Sequence, residues 1–222
     1  MFLSGIVLAI GLVFLGWILF PTEKAAGMLA AIAILILYGL VGWIVPGKIE
    51  GPHPIILSNG TRFGLIAGFI FAGEIILEYV LLPKDNTVYG VIEFAGVFVL
   101  YFLAGLSTTV QTNSLRKGSA SAVWAAIISI LMWVIVLLGM FYLFRGTAQQ
   151  TQVFQAEGNY ADFARSGAND FNTFVMEDFM GAVFYHALLG PISALILGTL
   201  GGLTGKGMTK ILSYKKTLQN KV

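Results

Sequence analysis

The chain has no cysteine, so disulfides, thiol nucleophiles, lipid attachment through cysteine and every cysteine-based metal or haem motif are excluded. Histidine is nearly absent: His53 and His186 are the two in 222 residues, too few for the histidine-rich constellation of an intramembrane metalloprotease, and no HExxH occurs. A glutamate-dependent intramembrane protease would need adjacent paired glutamates and a second membrane histidine, both missing. No GxSxG, P-loop or dinucleotide fingerprint stands in a strand-to-helix setting, so no cofactor and no enzymatic activity are expected. Charge is also scarce, at 11% of residues, and the basic residues sit at the edges of apolar runs rather than in a separate basic domain, which argues against a nucleic-acid partner.

Apolar residues are abundant. They make up 57% of the chain and the mean hydropathy is +0.86, the composition of a polytopic membrane protein. A hydrocarbon layer about 30 Å thick takes about 20 apolar residues per helix. Six such runs can be marked, at about 3–20, 25–45, 63–82, 88–110, 120–144 and 180–203. Pro21 to Lys24, Pro46 to Lys48 and Pro83 to Asn86 close the first three, the last a turn signal that also removes a helical hydrogen bond. The first run lacks a basic n-region and a small-residue cleavage site, so it reads as a retained helix rather than a signal peptide. The fold class expected is therefore all-α, a single six-helix membrane bundle over 1–205 with an extracytoplasmic loop at 145–179 and a basic tail at 206–222.

Cytoplasmic loops of membrane proteins carry the excess of Lys and Arg. Lys48 and Arg62, Arg116 and Lys117, and Lys206, Lys210, Lys215, Lys216 and Lys221 fall on one side of the expected topology. On the other, Lys84 is set against Asp85, and Arg145 and Arg165 against Glu157, Asp162, Asp170, Glu177 and Asp178. Both termini are thus expected to be cytoplasmic, in a multi-pass protein of the plasma (inner) membrane. Trp17, Trp43 and Trp124 near helix ends fit an aromatic belt. The sequon Asn59-Gly60-Thr61 lies on the expected cytoplasmic side. The tail, with Ile211, Leu212 and Leu218 among its lysines, suits the anionic leaflet.

Small residues let helices approach closely in lipid. Gly64 with Gly68, Gly198 with Gly202 and Gly201 with Gly205 form GxxxG pairs, suited to packing within the chain or between copies in a homo-oligomer. Gly190-Pro191 invites a kink in the sixth run, because proline cannot bond the carbonyl of residue 187.

Glu74, Glu78 and Glu93 carry the sharpest functional signal, since a carboxylate in hydrocarbon is costly enough to need a reason. Glu74 and Glu78 are four apart and share a helix face. Glu78 and Glu93 are expected at similar depth on either side of the 83–86 turn, with Glu74 about 6 Å deeper. The three cannot all stay ionised in a dry setting, so a shared proton or a bound cation is expected. Glu177 and Asp178 at the outer end of the sixth run, with Tyr185 and His186 two turns on, extend this into an outward-facing acidic vestibule. Three readings stay open for the acids: neutralisation by Arg145 as a structural pair, a proton or cation pathway, and a catalytic or metal site whose metal the sequence does not name. For Glu177 and Asp178 a helix-capping reading stands beside this one, and for His186 a packing role.

The 145–179 loop is too long for a simple connection. Asn169-Asp170 would cap a short helix with Phe171, Phe174 and Val175 on one face, lying in the interface or folding over the vestibule. Two function classes follow: a small transporter or channel subunit passing a proton or cation, or a non-catalytic scaffold or accessory subunit of a larger membrane complex. Three plus three helices would permit an inverted repeat, but the halves show no convincing similarity.

Overall fold

The computed structural model describes residues 2–21, 25–49, 55–81 and 87–219, and these are helical almost throughout. Eight helices follow in order: α1 (Phe2–Leu19), α2 (Ala26–Ile49), α3 (Ile55–Leu81), α4 (Thr87–Thr112), α5 (Leu115–Leu143), α6 (Ala148–Ala156), α7 (Asn159–Ser166) and α8 (Phe171–Gln219). Among the described residues, α1 to α5 and α8 are the six long and apolar enough to cross a membrane, compatible with an integral multi-pass protein in contact with lipid. Glu23, Lys24, His53, the Pro83 to Asn86 turn and Lys221 lie outside the described residues, as do the side chains of Lys48, Leu212, Lys215, Lys216 and Leu218.

Several helices exceed the apolar runs that mark them. α3 begins eight residues before Phe63, because polar Asn59, Thr61 and Arg62 disguise a turn that the bundle itself satisfies. Ser121 donates to the Ile56 carbonyl at 3.2 Å, Asn59 Nδ2 to Thr108 Oγ1 at 3.0 Å, and Trp124 Nε1 to Thr61 Oγ1 at 3.0 Å. Asn59 is thereby engaged within the bundle, and Trp124 is a buried bundle residue rather than a lipid-facing belt residue. Asn113 adopts φ 51°, a left-handed position that asparagine tolerates, and Ser114 caps α5 by accepting from Lys117 N.

α5 is the centre of the bundle, packed on α1, α3, α4 and α8. Close approach is made by the small residues. A methyl group at Gly64 would stand 2.6 Å from the Ala125 carbonyl oxygen, and one at Gly68 2.5 Å from Met132 sulfur. Gly198 abuts Ala122 of α5, Gly202 faces Leu115 and Thr109, and Gly105 of α4 meets the Gly198 backbone. The glycine pairs are therefore occupied by contacts inside the chain. Buried hydroxyls pair as well: Tyr101 with Ser129 at 2.7 Å and Ser119 with Thr199 at 2.9 Å.

α8 is assigned as one continuous helix through Pro191. The Ala187 carbonyl that Pro191 leaves without its helical donor accepts instead from Tyr38 of α2 at 2.6 Å, a buried bond spanning 149 residues.

The segment expected as a loop is mostly helical. Thr147 caps α6 by accepting from Gln150 N at 3.2 Å, and Gln150 Nε2 donates to the Phe141 carbonyl at the end of α5 at 2.9 Å. Gly158 and Gly167, at φ 80° and 71°, make the turns that bracket α7. Asp170 does act as a cap, accepting from Thr173 N at 2.7 Å, but the helix it opens is α8 itself, nine residues ahead of Met180. The Asp170 carboxyl is held below its ordinary range by that bond from Thr173. Val153 and Phe154 are buried against Phe141, Phe171 and Phe179, so α6 folds over this end of the bundle.

Candidate functional site: an acid-lined cavity between α3 and α4

The i, i+4 spacing puts Glu74 and Glu78 on the face of α3 that meets α4, and α4 returns Glu93 to the same level. All three line one cavity of about 310 Å³, whose other walls include Phe69, Gly73, Leu77, Tyr89 and Ile92. Glu78 and Glu93 are 9% and 7% exposed, and Glu74 is half-buried. The juxtaposition expected of the three acids is thus present.

Glu78 lies within hydrogen-bonding reach of Glu74 on one side and of Glu157 on the other. A carboxylate only accepts, so each contact between two carboxyls needs a proton on one of them. Glu157 is the C-cap of α6, outside the spans. Glu157 is exposed as a residue, and its carboxyl interacts with that of Glu78. Desolvation there, followed by repulsion from Glu78, Glu74 and Asp178, pushes the carboxyl from its ordinary 4.5 up to about 8. Tyr79 adds a hydroxyl beside Gln150 and Glu157. The acids consequently run as a line from the α6–α7 segment into the α3–α4 cavity. In the sequence Glu157 stands only as a loop charge. Its one available signal was the short polar helix ahead of it, with Thr147 as cap, which fixes where the chain turns back.

The remaining vestibule residues do not gather here. His186 lies in a second cavity of about 300 Å³ with Phe94, Tyr101 and Ser193; its ring stacks on Trp133 at 4.4 Å and its Nδ1 stands 2.9 Å from the Ala182 carbonyl. Glu93 and Phe94 are consecutive on α4 and face different cavities, which is why similar depth did not bring His186 to the acids. Glu177 faces Ala26, Gly27 and Met28 at the start of α2. Asp178 is exposed and interacts electrostatically with Asp162 and Glu157. Neither Glu177 nor Asp178 is a cap, since α8 begins at Phe171. Arg145, which one of the three readings pairs with Glu78 or Glu93, sets its guanidinium over the Phe20 ring, 4.7 Å from the centroid. Arg165 pairs with Asp162 in an exposed salt bridge. Among the described residues no three acidic or imidazole groups converge in a metal-holding arrangement.

Fold and site together define a six-helix membrane-type bundle with a carboxyl-lined cavity in its wall. Compared with known proteins, the chain matches no family model, no curated protein and no solved structure.

Proposed function

We propose that this chain is a small, non-enzymatic transporter or channel subunit that binds and hands on a proton or cation at Glu74, Glu78 and Glu93. The observation that carries this reading is the line of carboxyls from Glu157 through Glu78 to Glu74, with Glu93 facing the same cavity from the next helix. Carboxyls in contact exchange a proton without large movement, and a cation arriving at the cavity would displace the shared proton, which links the two ions. We take the membrane to be the plasma (inner) membrane, with both termini on the cytoplasmic side as the Lys and Arg distribution favours, so that α6, α7 and Glu157 face outward. The alternative, a scaffold or accessory subunit using the glycine faces, has less support because Gly64, Gly68, Gly198 and Gly202 are already in contact within the chain.

Thermal stability in detergent tests the reading, measured across pH and across monovalent and divalent cations for wild type and for Glu74→Gln, Glu78→Gln and Glu93→Gln. A ligand bound only by the folded form raises stability with the logarithm of its excess over Kd. Stabilisation by a cation or proton that disappears in the variants is the expected outcome. An identical response in all four proteins would sink the ion site.

A further inference from the structure

The cavity differs from an inorganic ion site in what surrounds its acids. Apart from the three carboxyls and Tyr89, its lining is hydrocarbon: Phe69, Ile70, Gly73, Leu77, Leu81 and Ile92. Hard inorganic cations take six or more oxygen ligands, or keep waters in their place, and the described side chains make no such converging set. The rim also faces outward. Phe69, Leu77 and Ile92 are 68%, 47% and 65% exposed, and on a membrane-spanning bundle an exposed apolar rim opens into lipid.

Glu93 supplies a second, independent sign of a ligand. It is 93% buried and lines the cavity, and among the described residues it has no hydrogen-bond partner, its neighbours Glu74 and Glu78 acting on it only through charge. A carboxyl that opens onto an apolar cavity with no protein donor beside it is stabilised by any donor brought to it. The partner that suits this position is a hydrogen-bond donor, best a cationic one, that reaches Glu93 past apolar walls. A volume of about 310 Å³ is at the small end of ligand pockets and holds a head group with part of a chain.

We infer that the cation taken here is an amphipathic organic one, a primary alkylammonium that enters sideways from the bilayer, lays its chain between Leu77 and Ile92 and donates its head to Glu93 and Glu74. This rests on the cation reading above and names its substrate class. The ammonium exchanges for the proton shared by the acids, so charge in the cavity balances. The hydrocarbon walls select for the chain, and the carboxyls select for positive charge and against anionic amphiphiles.

The test is saturable binding of radiolabelled decylammonium to the protein in lipid nanodiscs, over empty nanodiscs, with decyl sulfate as the charge-reversed control. Wild type should bind decylammonium and not decyl sulfate. Glu93→Gln should weaken binding about 30-fold, the lower end of what losing one partner of a buried charge pair costs. Gly73→Leu guards against a folding artefact, because a Cβ at Gly73 meets nothing within 4 Å and the position lines the cavity, so the longer side chain occupies ligand space; its thermal stability is checked alongside. It should abolish binding, while Gly11→Leu, at an equally open position on α1, should leave it unchanged. Equal binding of decyl sulfate, or full decylammonium binding by Gly73→Leu or Glu93→Gln, would overturn the assignment. If decylammonium fails to bind while inorganic cations or protons still stabilise wild type in a Glu93-dependent way, the amphiphile falls and the ion site stands. If neither ligand acts, both fall.

Discussion

Replacing Tyr38 by Phe removes one hydroxyl and nothing else, and the consequence should depend on a proline in another helix. Tyr38 and Ala187 are 4% and 1% exposed, and the hydroxyl is the donor that Ala187 oxygen receives in place of the helical N–H that Pro191 lacks. Leaving a buried carbonyl unsatisfied costs about 1–3 kcal/mol, and side-chain hydrogen bonds in membrane bundles average about 0.6 with a ceiling near ~1.7. Tyr38→Phe should therefore cost about 1–1.5 kcal/mol in the native background. In a Pro191→Ala background the restored N–H can bond Ala187 oxygen as the helix straightens, and the same change should cost less than about 0.5 kcal/mol. Equilibrium unfolding in mixed micelles of the four proteins gives the coupling directly. An equal cost of Tyr38→Phe in both backgrounds would refute the link between Tyr38 and the proline.

Three further outcomes follow from the geometry. The folded form keeps a proton on Glu157 up to about pH 8, whereas the unfolded chain releases it near 4.5, so stability should fall as pH rises between these values and level above them; Glu157→Gln should flatten the profile in thermal scans. Gly64→Ala drives a methyl to within 2.6 Å of the Ala125 carbonyl oxygen and should cost about 1–3 kcal/mol, while Gly73→Ala should stay within about 0.5 kcal/mol, as thermal unfolding in detergent would report. His186→Phe keeps a ring against Trp133 and should leave both stability and the ion response intact; loss of the ion response alone would return His186 to the acid site.

The spans were legible because lipid demands long apolar runs, and Pro191 announced that residue 187 would lose its helical partner. The rest depended on three-dimensional facts that local pattern does not carry. Tyr38, 149 residues from Ala187, could not be picked out among eight tyrosines as the donor. Arg62 and Asn59 look like loop residues until Thr108 is packed beside Asn59. Glu177 and Asp178 mimic a membrane edge, whereas the signal that starts α8 is Asp170 bonding Thr173. Depth along a helix is readable at 1.5 Å per residue, but azimuth is not, and azimuth separates Glu93 from His186. Glu157 reads as a solvated charge because only the fold-back of α6 over the bundle brings its carboxyl to Glu78.

Proteoliposomes with an imposed pH gradient, an internal pH dye and oriented protein, with or without candidate cations outside, give the most direct view of the acid line. Wild type should dissipate the gradient, faster when a transported cation is supplied, and Glu74→Gln and Glu93→Gln, each verified as folded, should reduce the rate to that of empty liposomes. Equal dissipation by wild type and both variants would mean that these carboxyls do not carry the ion.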